Sequence, residues 1–106
     1  SGLDILSDNR KIAIELKNRY NTDNSSSRKS NYEKLAKFKL NNPEYECIYG
    51  IINDKNLYGK IEEININNII IKYYSGDKFL SFIFNDKKVY IIYFIKKCIN
   101  SHFLNI

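Results

Sequence analysis

The period of hydrophobic and polar positions changes several times along this chain, and each change marks an element. Leu3-Asp4-Ile5-Leu6 is a short apolar run closed by Ser7-Asp8-Asn9-Arg10, a polar stretch the size of a hairpin turn, so a strand is predicted with Asp4 at its start or middle. Residues 11–17 then alternate. Successive strand side chains point to opposite faces, so Ile12, Ile14 and Leu16 should line one side and Ala13, Glu15 and Lys17 the other. Residues 18–29 lose all periodicity. Their centre, Asn21-Thr22-Asp23-Asn24-Ser25-Ser26-Ser27, is made of side chains that hydrogen-bond locally, which predicts a surface loop.

Ser30-Asn31-Tyr32-Glu33 has capping-box spacing, and a helix is expected to follow. Its period turns Tyr32, Leu35, Ala36 and either Phe38 or Leu40 inward and Lys34, Lys37 and Lys39 outward, and Asn41-Asn42-Pro43 should end it. Residues 45–52 are rich in β-formers and predict a buried, central strand containing Cys47. Residues 57–68 fit neither period. Residues 69–74 form a clearer strand, and Ser75-Gly76-Asp77 reads as a turn into a helix with Phe79, Leu80 and Ile83 inward. Asn85-Asp86 then offers a cap for a further helix to about Phe103. A strand over Val89 to Phe94 is the other reading, and the length and the Lys96-Lys97 ending favour the helix. Strands mixed with helices predict an α/β fold, a mixed central β-sheet flanked by helices.

At 106 residues the chain has length for one core, so residues 1–106 are expected to form a single domain. Cys47 and Cys98 lie far apart inside apolar runs and read as buried free thiols in a reducing, cytoplasmic setting. The apolar run from Val89 to Ile95 is far shorter than the ~20 residues a bilayer requires, and no signal peptide is seen, so no membrane association is expected. The net charge is +5. Residues 1–40 hold nine Lys or Arg against five Asp or Glu, and the remainder eight against seven, so the basic excess sits in the first part of the chain. That suits a polyanion and equally suits an ordinary solvated surface.

Chemistry concentrates in the first two predicted strands. Asp4 stands eleven residues before Glu15-Leu16-Lys17, and the short turn between them makes the strands neighbours. Two carboxylates on adjacent strands form an oxygen site of the kind Mg²⁺ accepts, and hydrolysis of a phosphodiester needs such a hard cation against the phosphoryl oxygens. Lys17, on the same face as Glu15, can orient a water or stabilise the phosphate charge. An E-x-K triplet alone is weak, since such triplets on strands are mostly solvated charge pairs. The apolar alternation around both strands and the upstream Asp4 strengthen it. The single histidine, His102, has no second member with which to form a relay or a zinc site. Most of the nine tyrosines fall in apolar periods and read as half-buried residues rather than as base-stacking platforms.

Gly2-Leu3-Asp4-Ile5, residues 12–22 from Ile12-Ala13-Ile14-Glu15-Leu16-Lys17 onward, and Asn24-Ser25-Ser26-Ser27 together resemble type II restriction endonucleases of the PD-(D/E)xK superfamily that cut GGNCC-type sites. The similarity is densest over residues 2–40, and Tyr73-Tyr74-Ser75-Gly76-Asp77 resembles a later strand, turn and helix of those enzymes. The resemblance implies that Asp4, Glu15 and the Leu16 backbone carbonyl ligate Mg²⁺ and that Lys17 is the catalytic lysine. It also implies that the segment after the triplet lies close to DNA. Arg19, Arg28 and Lys29 flank that segment and could contact phosphates, while Asn21, Asn24, Ser25 and Ser26 could reach phosphates or base edges; a polar loop satisfying its own backbone accounts for any single one of them equally well. The implied activity is cleavage of double-stranded DNA at a short palindrome, leaving 5′-phosphate and 3′-hydroxyl ends, by a homodimer whose two-fold axis matches the site.

Two departures stand out. Leucine rather than proline precedes Asp4, and Asp4 comes almost first, where such enzymes carry earlier elements. A missing N-terminal fragment is therefore expected. The departures keep two alternatives open: a non-catalytic remnant that binds DNA or a complementary fragment, and a structure-specific repair or recombination nuclease with the same site.

Overall fold

A computed structural model describes residues 2–19, 25–56 and 58–86. Their order is β1 (Ile5–Ser7), β2 (Ile12–Arg19), α1 (Ser25–Asn41), β3 (Glu46–Asn53), β4 (Ile61–Ile66), β5 (Ile69–Ser75) and α2 (Gly76–Asp86). The five strands form one mixed sheet in the order β1-β2-β3-β5-β4. β1 runs antiparallel to β2, β2, β3 and β5 are mutually parallel, and β4 closes the far edge antiparallel to β5. Parallel neighbours need a crossover, and α1 supplies the one between β2 and β3.

The alternation in β2 is realised. Ile12, Ile14 and Leu16 join Ile5, Ile48, Phe79 and Ile83 in a core beneath α2. Ala13 faces the other way, into a core of Leu35, Ala36, Cys47, Tyr49, Ile51, Ile71 and Tyr73 beneath α1. The central position of β3 matches the sequence reading, with Cys47 through Ile51 buried and Cys47 a free thiol. Tyr49 stacks on Tyr73 at 5.9 Å and receives the edge of Tyr32 at 5.0 Å, so the tyrosines of this layer act as core residues. Phe79 and Ile83 of α2 are buried as expected, and Leu80 packs partly against the same core.

Some of the sequence readings of these elements need correction. The loop predicted for residues 18–29 is largely not a loop: β2 continues to Arg19 and α1 begins at Ser25. Ser30 and Glu33 therefore lie inside a helix already begun, and no capping box forms there. Of the two inward candidates near its end, Phe38 packs on the core while Leu40 is 65% exposed. The helix stops where expected, with the Asn42 amide and side chain both donating to the Phe38 carbonyl and Lys39 Nζ bridging the Pro43 and Tyr45 carbonyls.

Residues 57–68, which fitted no period, contain β4. It forms a hairpin with β5 across Asn67 and Asn68, both at positive φ (51° and 70°), between the paired Ile66 and Ile69. Asn85 and Asp86 still belong to α2 rather than heading a new helix. The expectations for residues 89–103, Cys98 and His102 lie outside the described residues. Among the described residues no helix is long and apolar enough to cross a membrane.

Candidate active site at the end of β1

β1 and β2 are in antiparallel register with Ile5 opposite Ile14, Leu6 opposite Ala13 and Ser7 opposite Ile12. Continued by one residue, that register sets Asp4 across from Glu15. Asp4 is not itself in the strand, a correction to the sequence reading; it stands immediately before Ile5. Its side chain takes over from the ladder there: Asp4 Oδ2 accepts the Leu16 backbone amide at 2.8 Å. In a strand the amide and carbonyl of one residue leave on the same side, so the Leu16 carbonyl also faces the edge where β1 has ended.

Glu15 is 5% exposed. In register with Tyr49 of β3, it lies on the α1 side of the sheet, where one oxygen, Oε2, receives Lys34 Nζ at 2.7 Å. The same ammonium donates to the Gly2 carbonyl at 3.2 Å. The other oxygen, Oε1, is buried and has no hydrogen-bond partner among the described residues. A buried carboxylate oxygen without a donor is costly, since the desolvation penalty of a charged acceptor is at least about 1–3 kcal/mol. Such an atom fits a site built to receive a cation.

Lys17 follows on the same face, half-buried and in register with Ile51. Glu15 and Lys17 thus share one side of the sheet, and the continued register sets Asp4 across from Glu15 where β1 begins. Lys34 joins them from α1. Helical period assigns Lys34 to the outer, solvated face, and this is a correction: its side chain is only 37% exposed and its ammonium reaches Glu15 and the Gly2 carbonyl. The spacing of apolar positions along α1 carries no signal for such a reach.

The polar segment after the triplet divides. Ser26 and Lys29 are exposed and Arg28 half-buried in the first turns of α1, on a helix rather than on the expected loop. For Arg19 and Ser25 only the backbone is described, in β2 and at the start of α1. Asn21 and Asn24 lie outside the described residues. Among the described residues no three His, Cys, Asp or Glu side chains gather as a metal site, so any ion here would rest on the two carboxylates and backbone oxygen. Beside this site, between α1 and the β4–β5 turn, runs a groove of about 550 Å³ lined by Ser30, Lys34, Lys37, Leu40, Ile66 and Asn67, which the sequence reading did not foresee.

The model of the Eco47II restriction endonuclease family matches residues 1–98, nearly the whole chain. The chain belongs to that family. Restriction endonucleases are DNA hydrolases, and membership implies site-specific DNA cleavage with DNA as a partner. The mixed sheet with helices on both faces is consistent with the PD-(D/E)xK-like core expected of an Eco47II-family enzyme. No curated protein and no solved structure matches the chain.

Proposed function

We propose that this Eco47II-family chain is a type II site-specific deoxyribonuclease of PD-(D/E)xK architecture. It hydrolyses double-stranded DNA at a short palindrome, with Asp4, Glu15 and Lys17 as its reacting centre. The observation that carries this reading is the buried Glu15 carboxylate, whose Oε1 has no hydrogen-bond partner among the described residues, at the position that the continued β1–β2 register sets across from Asp4. Mg²⁺, when bound, supplies a hard positive charge against the phosphoryl oxygens. Asp4, Glu15 and the Leu16 carbonyl would hold it, as an all-oxygen set of the kind that ion prefers.

Lys17 has a separate task. Its ammonium donates to the attacking water or to a non-bridging phosphate oxygen, fixing the line of attack and stabilising charge that grows on phosphorus. Water adds to phosphorus, the bond to the 3′ oxygen breaks, and that oxygen takes a proton, leaving 5′-phosphate and 3′-hydroxyl ends. Arg28 and Lys29, in the first turns of α1, serve as phosphate contacts, with Ser26 as a neutral donor. A homodimer working in the cytoplasm suits a palindromic target, because two-fold symmetry presents one centre to each strand.

Supercoiled plasmid incubated with the purified chain and Mg²⁺ should yield discrete bands, with loss of cleavage in Glu15→Gln and Lys17→Ala and retention of DNA binding in both. Undiminished cutting by Glu15→Gln would overturn the assignment. Smears in place of fixed bands would argue for a nuclease without sequence preference.

A further inference from the structure

Lys34 belongs neither to the E-x-K triplet nor to any strand, yet it is paired directly with the Glu15 carboxylate. Its ammonium is 2.7 Å from Glu15 Oε2 and 3.2 Å from the Gly2 carbonyl. A cation held by a carboxylate and a backbone carbonyl, at the end of β1, has the oxygen surroundings that a metal ion would have there. We infer that Lys34 is a built-in counter-ion, occupying the Glu15 carboxylate in the metal-free protein and displaced from it when a divalent cation binds. This inference rests on the metal-site reading above.

Displacement is favoured over coexistence on several grounds. Glu15 is almost fully buried, so its charge requires a partner whenever the metal is absent, and Lys34 is the partner present. An ammonium and a dication on one small carboxylate repel each other, and they do so with little water between them to screen the repulsion. The lysine can also leave: its side chain is 37% exposed, against 6% for Glu15, and sits on a flexible four-carbon stem at the protein surface. Oε1 offers the incoming ion a first foothold that Lys34 does not cover. The departing ammonium is then exchanged for the metal rather than stripped from a doubly occupied carboxylate.

The prediction has an unusual sign. Removing a residue at a metal site ordinarily weakens binding, but removal of Lys34 should tighten it, because the divalent ion no longer competes with a resident charge. Calorimetric titration of Mg²⁺ into the DNA-free chain should show Lys34→Met and Lys34→Gln binding about tenfold tighter than the wild type, about 1.4 kcal/mol. Lys34→Arg, which keeps the charge, should stay near wild type.

Lys34→Gln covers the case in which Lys34→Met does not fold, since its amide can still donate to Glu15 Oε2. A rise in affinity is also a result that local damage cannot mimic, because damage loosens a site. Glu15→Gln separates the two claims. If Glu15→Gln loses Mg²⁺ while both neutral Lys34 variants bind equally or more weakly than wild type, the counter-ion role is overturned and the metal site stands. If Glu15→Gln binds as wild type does, or if no protein binds at all, the metal site fails and the inference fails with it.

Discussion

The Asp4 carboxylate accepts the Leu16 amide at 2.8 Å, in the place where the β1–β2 ladder would otherwise continue. Asp4 is therefore both a proposed metal ligand and a structural acceptor, and the two roles separate by substitution. Asp4→Asn keeps a carbonyl oxygen for Leu16 but removes the negative charge. Asp4→Ala removes both, leaving a part-buried amide without its partner, at a cost of about 1–2 kcal/mol. Urea denaturation should rank Asp4→Asn close to wild type and Asp4→Ala clearly below it, whereas both should lose Mg²⁺-dependent cleavage. Equal stability of the two variants would remove Asp4 from the structural account.

Gly50 is fixed by its neighbour across the core. A Cβ at this position of β3 would lie 2.4 Å from Cε1 and Cζ of Phe79, a completely buried ring on α2. Neither side can give way easily, since Gly50 sits between Leu16 and Tyr74 in the centre of the sheet. Gly50→Ala should cost about 1–3 kcal/mol through overpacking. Adding Phe79→Leu should recover part of that loss, and a double-mutant cycle of denaturation midpoints measures the coupling.

Much of this architecture is legible in the sequence because burial there is one-sided and regular. Ile12, Ile14 and Leu16 against Ala13, Glu15 and Lys17 is a period of two that only a strand can satisfy, and it placed both charged residues on one face. Where the pattern failed, the physics differs from case to case. Ser25, Ser26 and Ser27 have local hydrogen-bonding habits that argue for a loop, but a helix nucleated by the packing of Tyr32, Leu35 and Ala36 extends backwards at little cost per residue. β4 is an edge strand with Ile61 54% exposed, so its residues carry little of the burial alternation on which strand readings depend. The ion pair from Lys34 to Glu15 links residues nineteen positions apart through the reach of one long side chain, which no periodicity records.

Tyr45 gives a spectroscopic handle on how the turn after β1 is held. Its hydroxyl donates to the Asp8 carboxylate, and Lys11 lies 5.2 Å over its ring. The hydrogen bond to Asp8, then burial, then the negative charges of Asp8 and Glu44, push its pKa up from 10.0 to about 12. A group whose folded pKa is raised contributes its stability fully below the unfolded value and loses it as pH climbs through the folded one. The contribution of this contact should thus be intact below about pH 10 and lost between there and about pH 12. The tyrosinate absorbance of wild type minus that of Tyr45→Phe should titrate near 12, and Asp8→Asn should bring it down towards 10. A wild-type difference curve centred at 10 would mean the contact is not made in solution.

The β4–β5 turn tests whether local backbone chemistry limits the far edge of the sheet. Asn67 and Asn68 both adopt positive φ, 51° and 70°, the pair of left-handed conformations that a two-residue turn of the primed type demands. Asparagine tolerates that region better than other residues with a Cβ, and the Asn65 side chain helps by accepting the Asn68 amide at 2.9 Å. Glycine suits the second position better still, although it also loses more freedom on folding. The net expectation for Asn68→Gly is a gain of about 0.5 kcal/mol. Asn68→Val, a β-branched residue forced to positive φ, should lose about 1–2 kcal/mol. Because β5 is hydrogen-bonded to the central β3, these changes should appear as shifts of one cooperative urea transition with an unchanged slope. A separate early transition in Asn68→Val would show instead that the hairpin opens on its own while β2 and β3, and with them Glu15 and Lys17, remain in place.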